Sequence, residues 1–139
     1  MDRDDLGFLL AKATQRWNEL LHERFTTAGW GEVRPSYGSI LVPLFEEDSL
    51  RMGELARRAR LSKQTMTTMV RLLERDGLVH REPDPDDGRA SRVVLTAKAR
   101  RFEPVAERTL GELGAIAQEL LDEQRLATVQ HALKEWIEQ

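Results

Sequence analysis

The chain has no cysteine and only three histidines, His22, His80 and His131. Disulfides, thiolate metal sites and thiol-based redox sensing are therefore excluded. The histidines lack the spaced acidic or imidazole companions of a metal site, so no metal and no cofactor is expected. No apolar run approaches the roughly eighteen residues of a membrane-spanning helix, and no membrane association is expected. The opening Met1-Asp2-Arg3-Asp4-Asp5 is acidic and unlike a secretory signal, which makes the cytoplasm the expected location. A glycine loop for phosphates, an HExxH pattern and a nucleophile motif are all missing, so the chain is not expected to be an enzyme. Internal repeats and low-complexity segments are absent as well.

What is present is enough for one core. A chain of 139 residues is expected to form a single folded unit over 1–139. Its net charge of -3 argues against a nucleic-acid partner until the charges are placed along the chain. Between Arg51 and Arg101 stand thirteen Lys/Arg and seven Asp/Glu, a local charge of +6, while the remainder carries -9. Phosphates respond to the local field, so a basic middle with acidic flanks suits DNA contact by the middle alone; a merely solvated charged face is the alternative.

Apolar positions at spacings of three and four describe a long amphipathic helix from Asp5 to Thr27, stopped by Gly29. Pro35 suits the first turn of a second helix, in which Pro43 removes a backbone donor; the acidic Glu46-Glu47-Asp48 predicts the next loop. Two helices follow, Met52 to Ala59 and Ser62 to Asp76, parted only by Arg60 and Leu61. Ser62 can cap the second and Gly77 can end it, which are the proportions of a helix-turn-helix. The period then changes to that of strands, Leu78 to Glu82 and Ala90 to Leu95, around the turn-forming Pro83-Asp84-Pro85-Asp86-Asp87-Gly88-Arg89. Such a two-stranded hairpin behind a helix-turn-helix is a wing. Thr96 caps a helix to about Leu121 that Pro104 bends, and Asp122 starts the last one.

The expected fold is therefore mainly α with a small β-hairpin wing: a winged helix-turn-helix lobe over 33–97 and terminal helices over 5–28 and 98–138. Those helices carry apolar stripes that the small central lobe cannot cover alone. Pairing them with the same helices of a second chain gives a twofold homodimer; an intrachain bundle is the alternative.

In this order the elements resemble the MarR family of winged helix-turn-helix transcriptional regulators along essentially the whole chain. The resemblance is carried by Met52-Gly53-Glu54-Leu55-Ala56, Leu61-Ser62-Lys63-Gln64-Thr65 and Val70 to Val79, together with Asp84-Pro85-Asp86-Asp87-Gly88-Arg89 and Val94-Leu95-Thr96. Arg60 departs from the family's usual glycine or asparagine in the turn, where a positive φ would cost up to about 1 kcal/mol. Ala99 replaces a frequent glycine, and Pro43 is also unusual.

The function implied is sequence-specific binding of double-stranded DNA at a pseudo-palindromic operator, as a repressor. With Met66, Met69, Val70 and Leu73 inward, the second helix of the motif turns Lys63, Gln64, Thr67, Thr68 and Arg71 outward. Gln64 can pair bidentately with adenine and Arg71 with guanine; the threonines can meet a thymine methyl or a phosphate. Ser62 caps the helix and offers its backbone N–H to a phosphate. The resemblance and its place at the hairpin tip put Arg89 in the minor groove, with Asp87 accepting hydrogen bonds that hold the wing's shape. Arg57, Arg58, Arg92 and Lys98 are secondary phosphate candidates. The resemblance further implies release by a small aromatic or phenolic acid. Trp17, Trp30, Arg34 and Tyr37 are the residues for such a pocket, unless the aromatics are core and Arg34 is surface. The rival function is a winged-helix protein-interaction module without specific DNA binding.

Overall fold

The computed structural model describes residues 2–139. Helix α1 (Leu6–Thr27) is followed by a short 3-10 turn, Pro35–Tyr37, that leads into α2 (Gly38–Glu47). Strand β1 (Ser49–Arg51) precedes α3 (Met52–Ala59) and α4 (Lys63–Arg75). Strands β2 (Val79–Pro83) and β3 (Ser91–Leu95) form the hairpin, and α5 runs from Ala97 to Ile137. Among these elements no helix is long and apolar enough to cross a membrane.

The helix boundaries have local causes. Asp5 caps α1 by accepting from the Phe8 N–H, Ser62 caps α4 through Thr65, and Thr96 caps α5 through Ala99. Gly77, at φ 75°, lets the Leu78 N–H return to the Leu73 carbonyl and close α4 in a Schellman turn. Arg60 performs the same service for α3: at φ 56° it is left-handed, and the Leu61 N–H reaches the Ala56 carbonyl.

Three expectations are corrected. The chain enters the second helix through a 3-10 turn, because Pro35 starts a tight turn before α2 begins at Gly38. Glu46 and Glu47 belong to α2; only Asp48, at φ 66°, leaves the helix. The sheet has three strands, ordered β1-β3-β2, since Leu50 pairs with Val93 on the far side of the hairpin. Pro104 lies within α5, and the break falls at Asp122 (φ 62°, ψ 170°), whose carboxylate accepts from the Arg125 N–H. Asp122 thus opens the last helical segment, as its position predicted.

The core lies between the winged lobe and the first part of α5. Ile40 and Leu44 of α2, Leu55 of α3, Met66, Val70 and Leu73 of α4, and Val93 of β3 are buried, each contributing roughly 1.5–3 kcal/mol by leaving water. Phe102 of α5 meets Phe25 of α1 edge to face at 4.9 Å and Trp30 at 5.3 Å, which joins α1 and the loop after it to the first part of α5. Beyond Asp122, by contrast, nearly every side chain of α5 is exposed.

Replacing left-handed Arg60 by glycine removes the Cβ penalty of that conformation. Arg60→Gly is expected to raise the unfolding free energy by up to about 1 kcal/mol in chemical denaturation. A lower stability would show that the bond from the Arg60 guanidinium to the Ile137 carbonyl (2.6 Å) outweighs the strain.

Candidate nucleic-acid interface

Helix α4 is anchored by its apolar side and leaves the other side bare. Lys63, Gln64, Thr68 and Arg71 are exposed and Thr67 is half-buried. The hydroxyls of Thr67 and Thr68 donate to the carbonyls of Lys63 and Gln64, so what these residues turn outward is a methyl group and oxygen lone pairs. Ser62 Oγ is occupied at the cap, accepting from the Thr65 N–H at 3.1 Å and donating to Thr65 Oγ1 at 2.9 Å. Lys63, Gln64 and Arg71 make no side-chain hydrogen bond or ion pair to the described residues.

The wing is built by its own aspartates. Asp84 Oδ1 accepts from the Asp86 N–H at 2.8 Å, and Asp87 Oδ1 accepts from the Arg89 N–H at 3.1 Å. These Asx-type turns carry the chain round the tip, and the Asp84 N–H closes it on the Ala90 carbonyl. Arg89 is left projecting, its side chain 96% exposed and its Nε 3.6 Å from the Asp87 carboxylate. Asp87 therefore holds the loop under Arg89 rather than neutralising it at close range.

At the base of the wing Asp84 is buried. Its Oδ2 accepts from Arg51 Nε at 2.5 Å and lies 3.4 Å from Arg92 Nη1. Arg51 and Arg92 face each other across β1 and β3, a like-charge pair that the sheet tolerates because this carboxylate lies between them. The Asp86 N–H, against the cost of burial, and then the two guanidiniums hold the Asp84 carboxyl below the usual aspartate range.

The other basic candidates are spent within the protein. Arg57 and Arg58 pair with Glu54, and Arg58 also approaches Glu47. Arg92 gives its remaining nitrogens to Ser49, and Lys98 Nζ donates to the Asp76 carbonyl at 2.7 Å while lying 3.4 Å from Glu32. Sequence reasoning passed over Arg51, because nothing local announces that β1 exists or that Asp84 lies against it.

The four residues expected around a ligand do not come together. Tyr37 is fully buried and its hydroxyl donates to Asp76 at 2.6 Å; burial and that bond raise its pKa. Burial pushes the Asp76 carboxyl up, yet the bonds from Tyr37 and Arg75 outweigh it and hold the group below its ordinary value. Trp30 packs on Phe102, while Trp17 is exposed on α1. Only exposed Arg34 lines an apolar pocket, of 130 Å³, with Leu21, Phe25, Leu41 and Phe102. No cluster of three or more His, Asp or Glu placed to hold a metal occurs among the described residues.

The MarR family model matches residues 35–91, the stretch from the 3-10 turn to the start of β3. A crystal structure of a probable transcriptional regulator from Pseudomonas aeruginosa superposes with a TM-score of 0.84, at 28% identity, over 96% of this chain and 97% of that one. Over residues 35–91 the chain is of the MarR type. The HTH-type transcriptional repressor YetL of Bacillus subtilis (strain 168) is 27% identical over 124 residues, 87% of this chain and 72% of YetL. A mutant MarR from E. coli, solved in complex with operator DNA, shares the fold with a TM-score of 0.75 at 24% identity, over 95% of this chain and 93% of that one. These relatives carry the names of transcriptional regulators, and this chain is a transcriptional regulator of the MarR type.

Because the Asp84 carboxyl is depressed in the folded state, the stability it lends is complete above the unfolded value near pH 4 and is lost as pH falls through the folded value. Wild type is expected to exceed Asp84→Asn in thermal midpoint at about pH 7, with the gap closing below about pH 4. A gap unchanged across that range would mean that the negative charge is not what holds the base of the wing.

Proposed function

We propose that this regulator is a repressor that binds double-stranded DNA as a homodimer on a pseudo-palindromic operator. The lobe over 33–97 is the reader, and the helices over 5–28 and 98–138 pair the two chains. One observation carries the reading: within 51–101, Arg101 of α5 apart, the cations whose side chains make no hydrogen bond, and no ion pair shorter than 3.6 Å, to the described residues are Lys63, Arg71 and Arg89, and they lie with Gln64 on α4 and at the wing tip, the two elements such a lobe offers to DNA. Gln64 and Arg71 are the base-reading pair of α4, Thr67 and Thr68 offer methyl groups to thymine, and Ser62 and Lys63 meet the backbone. Arg89 enters the minor groove. Arg57, Arg58, Arg92 and Lys98 act at most by re-pairing, since each already holds an internal acceptor.

Support for the homodimer is the distribution of bare apolar surface. Apart from Val42, the exposed large hydrophobic residues all lie on α1 or α5, including Leu6, Leu9, Leu120, Leu133 and Trp136. A monomer would leave these stripes in water, whereas a twofold pairing of the same helices buries them. The operator symmetry follows from that axis. A regulator without membrane or catalytic role belongs in the cytoplasm with the DNA.

The deciding experiment is titration of the native upstream DNA and a scrambled fragment across a salt series, with complex stoichiometry from sedimentation. Expected are two chains per native site, affinity falling with salt, and a loss of roughly tenfold or more in Arg89→Ala, equivalent to at least about 1.4 kcal/mol. Equal and weak binding to both fragments, indifferent to salt and to Arg89, would favour a protein-interaction module instead.

Release by a small aromatic or phenolic acid is supported by the apolar pocket beside Arg34, a guanidinium suited to a carboxylate above a floor of Leu and Phe side chains. A benzoate-type acid is expected to dissociate wild-type complexes at concentrations that leave Arg34→Ala complexes intact. Equal responses of the two proteins would remove this pocket from the reading.

A further inference from the structure

Between the start of α3, the start of α4 and the wing lies a cleft of 530 Å³, to which Arg51, Lys63 and Arg89 each contribute. They come from three separate elements, and the residues that line the cleft with them include no carboxylate. Three cations around one opening repel one another and favour an anion among them. Arg51 is also built into place. Its Nε donates to the buried Asp84 carboxylate at 2.5 Å, yet its side chain remains 47% exposed and its terminal nitrogens make no hydrogen bond to the described residues. Arg92 beside it is the contrast, with Nε and both terminal nitrogens engaged by Ser49 and Asp84.

We infer that Arg51 binds a backbone phosphate of duplex DNA in this cleft, that Lys63 and Arg89 add to the positive field around it, and that Asp84 is the residue that positions it. The inference rests on the DNA-reading function proposed above and deepens it. A duplex read by α4 in one groove and by the wing in the next must carry a sugar-phosphate strand across the space between them, and that space is the cleft. A guanidinium fixed at Nε presents its two terminal N–H₂ groups as a fork suited to two phosphate oxygens. Anchoring by Asp84 also means that little side-chain freedom is lost when the phosphate arrives.

The test uses the full chain on a duplex that it binds, from about 50 to 200 mM salt, with Arg51→Gln, Arg51→Ala and Asp84→Asn checked for folding by thermal melting. Each phosphate contact contributes about 0.9 to the slope of log affinity against log salt. Both Arg51 variants are expected to flatten that slope by about 0.9 per bound protomer, so that the fourfold rise in salt costs each protomer about 3.5-fold less than in wild type. Asp84→Asn is expected to bind more weakly with the slope retained, as a positioning residue should. Arg51 variants that melt normally and keep the wild-type slope, whatever their affinity, would overturn the phosphate contact and leave Arg51 as a strut of the wing. Arg51→Gln retains a donor for Asp84 if Arg51→Ala fails to fold. A wild-type chain that binds no duplex in a salt-dependent way would overturn the DNA reading itself, an outcome distinct from failure of the Arg51 variants alone.

Discussion

The arrangement of the winged lobe depends on one buried carboxylate. β1 is three residues long and brings Arg51 directly opposite Arg92 of β3, a pairing that repels unless something negative stands between the two side chains. Asp84 does so from the turn of the hairpin, and in doing so it ties β1 to a wing that lies some thirty residues further along the chain. Its other oxygen receives the Asp86 N–H, so the group that ties the wing to the lobe also shapes the wing's turn. With all of its partners charged or donating, its burial is compensated in the manner a buried ion requires.

That constraint explains how an acidic protein presents a basic face. The charge of +6 over 51–101 is not available as a sum, because most of those cations are consumed by the fold. Arg57 and Arg58 are held by Glu54, Arg81 by Glu74, Arg92 by Asp84 and Ser49, and Lys98 by the end of α4. What remains is Lys63 and Arg71 on α4 and Arg89 on the wing, with Arg101 apart from them on α5. Counting charges along a sequence therefore finds the right region but overstates the number of residues that face the partner.

The helices were legible because their signals are local. Apolar spacing marks α1, α3 and α4, while Ser62, Gly77 and Thr96 act at the ends where their chemistry is needed. A left-handed Arg60 follows from the sequence only as a condition, through the glycine or asparagine that the resembled family often places in that turn. β1 was not legible, since three residues carry no period and its pairing depends on β3 more than forty positions away. The role of Arg51 was hidden for the same reason. Tyr37 and Trp30 stay open between pocket and core in the sequence, because an aromatic beside an arginine reads alike in both. What separates them is whether the polar end is already satisfied, and Tyr37's hydroxyl is, by Asp76.

The two ends of α4 are held in different ways, and the difference suits a reader. At its C-terminal end Asp76 takes the Tyr37 hydroxyl on its carboxylate and Lys98 on its carbonyl, and Thr96 donates to the carbonyl of Gly77. Those bonds come from the 3-10 turn before α2 and from the start of α5, so that end of the helix is fixed to the body of the protein. The N-terminal end is capped by its own Ser62 and Thr65 alone, and its next residues, Lys63 and Gln64, face solvent. A helix anchored at one end and self-capped at the other can present its first turns to a groove without the body following them in. The direction of the helix is then set by groups far from the contact, through the 3-10 turn and α5, while the identity of the contact is set by the few side chains that the fold leaves unpaired.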